Sequence, residues 1–212
     1  MELKGSKYRM KKLKISKGKP GYIHSQKIKR SIITAVLFAI PLGIFFIGLF
    51  ETKTRLNLFT FVAILGCLPA ARSAVGMIMM LMQKPLDREV YEKIRKRAGD
   101  LTMAYELVIT AYDKNTPIEA IAVCGPHVVG YTTKANADCA YVEKHIRDIL
   151  KGNGYREDVK LFKDLKPFLD RIGGLAARRA EIEEGIEFTP NETYPDLGRS
   201  EVIKHTIMAI SL

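Results

Sequence analysis

Two long apolar stretches near the start of the chain stand out from an otherwise mixed pattern of hydrophobic and polar residues. Residues 31–50 (SIITAVLFAIPLGIFFIGLF) carry no charge and have the length that an α-helix needs to cross the hydrocarbon core of a membrane. A second apolar stretch, residues 58–82, follows after a linker of seven residues. The pattern predicts a transmembrane hairpin of two helices. The apolar core of the first is too long for a cleaved signal peptide.

The distribution of charge predicts how this hairpin is oriented. Residues 1–30 contain eleven Lys or Arg and one acid, and residues 84–97 contain six basic residues, whereas the linker 51–57 contains two. Both termini are therefore predicted to be cytoplasmic, in a two-span protein of the cell membrane. Most of the net charge of +11 lies in the basic tail, residues 1–30, because residues 83–212 sum to −1. A tail that binds RNA or another polyanion is the alternative, but it explains only one of the two basic flanks.

The second apolar stretch contains Pro69, which tends to kink a helix but is tolerated in membranes, and Arg72, a charged residue that is rare there. Arg72 lies fourteen residues past Leu58, about 21 Å along a helix, in the cytoplasmic half of the predicted span. Its side chain either extends to the headgroups or makes a binding contact with a lipid phosphate or a neighbouring helix. The small residues around it would let the first span or another copy of the chain approach closely, which predicts a homo-oligomer as one arrangement: Ala70, Ala71, Ser73, Ala74 and Gly76.

Residues 83–212 predict one small cytoplasmic α/β domain with a mainly antiparallel sheet. The turn sequences KNTP and CGPH favour a three-stranded antiparallel meander, followed by a fourth strand; the predicted strands are 104–113, 118–123, 128–133 and 159–162. Helical patterns occupy the other segments: 87–97, 137–152, 167–172 and 171–186. Residues 201–212 fit either a helix with Ser200 as its cap or a strand.

Sequence motifs of enzymes and of cofactor sites are absent. The chain has no Walker A, G-x-G-x-x-G, G-x-S-x-G, H-E-x-x-H or C-x-x-C motif, and its three cysteines and four histidines are scattered. We therefore predict no metal site and no cofactor. The sequence fits a non-enzymatic protein better than an enzyme.

The order strand, strand, G-P turn, strand, lysine, helix and strand resembles the nuclease-related domain of restriction-endonuclease-like proteins. That family carries an Asp on the second strand and a Glu-x-Lys on the third. With the turn placed on Gly125 and Pro126, the resemblance puts the Asp position at Ala120, the Glu position at Thr132 and the Lys position at Lys134. Both metal-binding carboxylates are then missing, which implies an inactive nuclease.

A hydrolase with an unorthodox site is the alternative to an inactive nuclease. Its nearest polar candidates are Glu119, His127 and Lys134. Glu119 is one residue away from the predicted metal position, so on a regular strand its side chain would point to the opposite face.

The segment TKTRLNLFTFVAILGCLPAARSAVGMIMML resembles an uncharacterised family of two-span membrane proteins of Firmicutes. Members of that family are sometimes labelled as O-linked N-acetylglucosamine transferase-like. The sequence has neither helical repeats with a period of about 34 residues nor an evident sugar-nucleotide site. The resemblance therefore implies a membrane hairpin and no glycosyl transfer.

Three hypotheses for function follow from these patterns. The preferred one is a membrane-anchored, non-enzymatic module whose cytoplasmic domain binds a protein or a small ligand, because it best accounts for the missing motifs. The alternatives are a membrane-tethered nuclease or other hydrolase with an atypical site, and a self-associating membrane assembly built on the second span. The lipid bilayer is a partner in all three, and the near-neutral domain does not favour nucleic acid.

Overall fold

The chain folds into two compact units. The computed structural model describes residues 15–54, 57–111, 114–186, 188 and 196–212. One unit contains two long helices within Ile23–Lys84, and the other combines the short segment Ser16–Tyr22 with Pro85–Leu212. Part of the predicted basic tail is therefore built into the α/β domain. Residues 1–14 of that tail lie outside the described residues.

The helices α1 (Tyr22–Thr52) and α2 (Leu58–Leu81) cover the two apolar stretches. Helix α1 begins nine residues before the first stretch, because the basic sequence ahead of residue 31 contains no glycine or proline and continues the same helix. Only 17% of the most apolar window of α1 and 11% of that of α2 are buried inside the protein. A core helix of a soluble protein would bury most of such a surface. Both helices are long and apolar enough to cross a membrane.

Polar contacts join α1 and α2 in an antiparallel arrangement. The hydroxyl groups of Thr34 and Ser73 lie 2.9 Å apart and form one hydrogen bond between the helices. The Arg30 guanidinium donates a second bond, of 3.1 Å, to the carbonyl oxygen of Gly76. Three of these four positions are small residues, which let two helices approach closely.

The turn between the two helices is organised by Asn57. Its side-chain oxygen caps α2 by accepting from the Thr60 amide at 2.8 Å, and its side-chain nitrogen donates to the Gly48 carbonyl at 3.1 Å. A Cβ atom at Gly48 would lie 2.4 Å from Cβ of Phe59, so a glycine is required for this close approach.

A four-stranded mixed sheet forms the centre of the α/β domain, in the order β1 (Thr102–Ala111), β2 (Lys114–Cys124), β3 (His127–Tyr131) and β4 (Asp158–Phe162). The first three strands form the predicted antiparallel meander. The fourth strand runs parallel to β3, because the helix between them carries the chain back to the other end of the sheet. The prediction of a mainly antiparallel sheet therefore holds for two of the three pairings.

The prediction of a turn at KNTP is wrong, since these residues are the first four of β2. Pro117 pairs with Val108 of β1, and its carbonyl oxygen accepts a hydrogen bond from Thr132 on the side of β2 away from β1. The nitrogen of a strand residue points to the same side as its carbonyl oxygen. The N–H that proline lacks would therefore have faced away from β1, and the β1–β2 pairing loses nothing.

Helices cover both faces of the sheet and give the domain three layers: α3 (Arg88–Ala98), α4 (Cys139–Gly152), α5 (Leu165–Ala177), the short α6 (Arg179–Glu183) and α7 (Arg199–Ala209). Helices α4 and α7 share one buried cluster with the sheet, whose members include Ile121, Val123, Ile146 and Ile203. Helices α3 and α5 share the other, whose members include Ala122, Cys124, Ile94 and Phe168. Alternate residues of β2 thus face opposite cores, as the period of a strand requires.

Two helical predictions change in the structure. The patterns at 167–172 and 171–186 form one helix, α5, that ends at Ala177 and is followed by α6. The ambiguous segment 201–212 is helical up to Ala209, after which Ser211 makes a strand-like bridge to Ile109 of β1. Ser200 lies inside the first turn of α7, and the cap position is Gly198.

Candidate functional site

The polar residues singled out for a hydrolase do not come together. Glu119 accepts hydrogen bonds from the backbone N–H and the hydroxyl group of Thr133, and Lys134 Nζ donates to the Asn115 carbonyl at 2.9 Å, so both lie at one end of the sheet. His127 lies at the other end of β3, opposite Cys124 of β2, which is five residues from Glu119 and therefore about 17 Å away along the strand. Burial raises the pKa of Glu119, and the hydrogen bonds from Thr133 oppose this.

The two positions that would hold a metal in a nuclease are closed to solvent. Ala120 is fully buried within the β2 pairings, and Thr132 is fully buried with its hydroxyl group bonded to the Pro117 carbonyl at 2.7 Å. The G-P turn itself is present, with Gly125 at φ +53°. Within the described ranges no group of three His, Cys, Asp or Glu side chains is placed to hold a metal ion.

Arg72 lies on the exposed side of α2, outside the contact between α1 and α2. The helix contact uses its neighbour Ser73, which lies opposite Thr34. Thr34 is three residues inside the apolar stretch that begins at residue 31. Because Arg72 adjoins Ser73, which lies opposite Thr34, Arg72 is level with a point about 5–6 Å from the basic end of that stretch. Among the described residues, no hydrogen bond or ion pair to Arg72 is found. The geometry suits an arginine whose guanidinium reaches headgroups.

Strand β1 holds both segments that flank the long helices. The Tyr105 amide donates to the Gly18 carbonyl at 2.9 Å, and Gly18 lies four residues before α1 begins. The adjacent Glu106 accepts a hydrogen bond of 3.0 Å from the Leu86 amide, five residues after α2 ends. Two consecutive residues of one strand therefore fasten the domain to the chain on both sides of the helical hairpin.

Glu106, which accepts the hydrogen bond from Leu86, has an unusual backbone conformation. Its φ is +54°, the left-handed region, which costs a residue with a side chain roughly 1–2 kcal/mol. The residue is only 3% exposed, although it carries a carboxylate. A strained backbone at a buried charged residue persists only where the surrounding structure fixes it, and such positions cluster at functional points of a fold.

A cavity of about 640 Å³ lies at the end of the sheet that carries the G-P turn. The five residues that line it are all charged: Arg147, Lys151, Arg156, Glu157 and Asp158. The first two residues are one helical turn apart on α4, the next two lie in the loop before β4, and Asp158 is the first residue of β4. The sequence patterns did not identify this group, because its members become neighbours only when α4 packs beside β4, as the hydrogen bond from Arg147 to the Val159 carbonyl shows.

Glu157 is the most enclosed charged residue of this cavity, with a fully buried side chain. Its Oε1 accepts from the guanidinium of Arg199, which also donates to the Gly125 carbonyl at 2.7 Å. Its Oε2 has no hydrogen-bond partner among the described residues. Burial raises the pKa of Glu157, and the positive charge and hydrogen bond of Arg199 oppose that shift.

In a neighbouring cavity of about 410 Å³, the arginine side chains already form ion pairs with carboxylates of the protein. Arg179 pairs with Glu183 at 2.9 Å, and the hydroxyl group of Ser200 donates to the same carboxylate at 3.2 Å. Arg199, which also lines it, is paired with Glu157. Because both arginines have partners, this second cavity offers less free charge to a ligand than the first.

No family model, curated protein or solved structure matches this chain. The resemblances to a nuclease-related domain and to two-span membrane proteins of Firmicutes therefore stay predictions. Any functional conclusion has to come from the arrangement of the residues themselves.

Proposed function

We propose that this protein is a membrane-anchored, non-enzymatic binding module. The helices α1 and α2 cross the cell membrane as a hairpin, and the α/β domain on the cytoplasmic side binds a protein or a small ligand. The observation that carries the anchor is the exposed apolar surface of both helices, of which only 17% and 11% of the most apolar windows are buried within the protein.

Charge and connectivity support this arrangement. Basic residues precede the first apolar stretch and follow the second, as expected for flanks that stay in the cytoplasm. The hydrogen bonds of Tyr105 to Gly18 and of Glu106 to Leu86 tie the domain to both flanks. Because both flanks of the hairpin are built into the domain, a ligand or protein that binds the domain is tethered to the membrane anchor.

The hydrolase alternative has less support. Glu119 and Lys134 lie at one end of β3 and His127 at the other, so the three candidates do not form one site. Self-association is the better second candidate, because Arg72 is exposed on α2 without a partner among the described residues. An acidic group of another copy, or a lipid phosphate, would pair with it.

Single cysteines test the topology in a variant whose three native cysteines are replaced by serine or alanine. A cysteine at Thr54, between the helices, should react with a membrane-impermeant thiol reagent in intact cells. A cysteine at Asn136, an exposed residue of the α/β domain, should react only after the cells are permeabilised. Labelling of Asn136→Cys in intact cells, with Thr54→Cys protected, would overturn the proposed orientation.

A further inference from the structure

We propose that the cavity lined by Arg147, Lys151, Arg156 and Glu157 binds a small phosphate ester that carries a hydroxyl group next to its phosphate. This inference rests on the proposed function as a binding module and names the class of its ligand. It is carried by two independent features of the cavity: a surplus of cations that have no acidic partner among the described residues, and a buried carboxylate oxygen that has no hydrogen-bond partner among them.

The cations of the cavity have no acidic partners within the part of the chain that the structure describes. Arg147 uses one N–H in a 3.3 Å hydrogen bond to the Val159 carbonyl and keeps the rest of its guanidinium free. Lys151 and Arg156 are exposed side chains without an ion pair to a described residue. An arginine presents several donors in a rigid fork that fits the oxygens of a phosphate.

The acidic residues of the cavity do not cancel this positive charge. Glu157 is already compensated by Arg199, with which it forms a buried ion pair. Asp158 is the other acid, and its carboxylate lies 3.7 Å from Nδ1 of His127. The three cations therefore exceed the uncompensated acid, and the surplus suits a phosphate monoester, whose charge is about −1.5 to −2 at neutral pH.

Glu157 favours a ligand that can donate a hydrogen bond to its Oε2 atom. Its side chain is fully buried and its Oε2 accepts no hydrogen bond from a described residue, which is unfavourable for a carboxylate oxygen. A ligand hydroxyl group beside the phosphate would supply the missing hydrogen bond. A site with a buried acceptor discriminates strongly against an analogue that lacks the donor.

Two sources offer this chemistry to a domain held at a membrane. One is a soluble phosphate ester of the cytoplasm, and the other is the headgroup of an anionic phospholipid. The volume of about 640 Å³ accommodates a small polar ligand of either origin. The chemical class is the same in both cases, so the experiment has to separate the sources.

The full-length protein in phosphatidylcholine nanodiscs provides the test, with binding measured by calorimetry. The affinity for glycerol 3-phosphate should be at least about tenfold higher than the affinity for methyl phosphate, which has no hydroxyl group beside its phosphate. Lys151→Gln and Arg156→Gln should each weaken binding of glycerol 3-phosphate about tenfold. Both residues are exposed, so neither variant should disturb folding. The matched control is Lys144→Gln, an exposed lysine of α4 that does not line the cavity and should leave the affinity unchanged.

A second set of nanodiscs, with phosphatidylglycerol replacing part of the phosphatidylcholine, distinguishes the two sources, because the headgroup of this anionic lipid carries a hydroxyl group next to its phosphate. Loss of glycerol 3-phosphate binding in these nanodiscs would show that a lipid headgroup occupies the cavity, and unchanged binding would favour a soluble ligand. The proposal is overturned if neither phosphate ester binds, or if Lys144→Gln weakens binding as much as Arg156→Gln. Either result would leave the membrane anchor intact, since thiol labelling at Thr54 and Asn136 tests that separately.

Discussion

Replacing Arg199 by glutamine should destabilise the α/β domain strongly at neutral pH. Arg199 is the charge partner of Glu157, whose side chain is fully buried, and it also donates to the Gly125 carbonyl. Removing one partner of a buried ion pair typically costs about 3–5 kcal/mol, because the remaining charge is left without compensation. The Arg199 side chain is itself 19% exposed, so we expect the lower end of that range, about 3 kcal/mol.

The same substitution should make stability depend on pH. Burial raises the pKa of Glu157, and removing Arg199 removes the influence that opposes this rise. A carboxylate whose folded-state pKa lies above its unfolded value stabilises the fold at low pH and loses that contribution as the pH rises. The difference in free energy of unfolding between Arg199→Gln and the wild type should therefore be largest near pH 7 and shrink toward pH 5.

Urea unfolding followed by far-ultraviolet circular dichroism, with the full chain in detergent micelles, measures this difference. The control is Arg97→Gln, which breaks an exposed ion pair of 3.9 Å with Asp170 and should cost at most about 1 kcal/mol at any pH. The double variant Glu157→Gln with Arg199→Gln should recover much of the loss, because no uncompensated charge remains. A cost for Arg199→Gln no larger than that of Arg97→Gln, or one that grows as the pH falls, would refute the buried ion pair.

Two further predictions concern the sheet. Burial, and then the neighbouring Tyr91, raise the pKa of Tyr105 to about 12, so the stability it contributes should be lost between about pH 10 and 12, at a cost of at most about 3 kcal/mol. Thermal unfolding of Tyr105→Phe should show a smaller loss over this interval, and an identical loss would mean that other groups cause it. The full chain, incubated with DNA or RNA and Mg²⁺ or Mn²⁺, should leave both intact; cleavage abolished by Glu119→Gln or Lys134→Ala would instead identify a nuclease with a relocated carboxylate.

The long helices are the part of the fold that the sequence predicted best. Apolar length is a local property, and a stretch such as 31–50 or 58–82 has few alternatives to a helix that could cross a membrane. The start of α1 at Tyr22 was missed, because the prediction followed hydrophobicity and a helix can continue through basic residues. The hydrogen bond between Thr34 and Ser73 could not be predicted either, because the pattern along one helix does not show which residues of a second helix lie opposite.

The pairing of the strands that are joined by short connections was predicted correctly from the sequence. The tight G-P turn brings β2 and β3 together, and their antiparallel pairing follows from it. The position of β4 depended on α4, whose packing on the sheet decides where the chain returns. Whether Pro117 fits inside β2 also depended on the neighbouring strand. The N–H that proline lacks matters only if another strand lies on that side and would have accepted a hydrogen bond from it.

Hydrophobic periodicity and charge along the chain therefore determined the two long apolar helices, the α/β class and the basic flanks. Tertiary structure alone decided that residues 199–209 form a helix, because Ile203 and Ile207 are buried in the core shared with α4. It also decided which charged residues share a cavity. Arg147 and Glu157 line one cavity and Arg199 pairs with Glu157, although these residues come from three separate parts of the chain, because a charge acquires its electrostatic role from neighbours in space rather than in sequence.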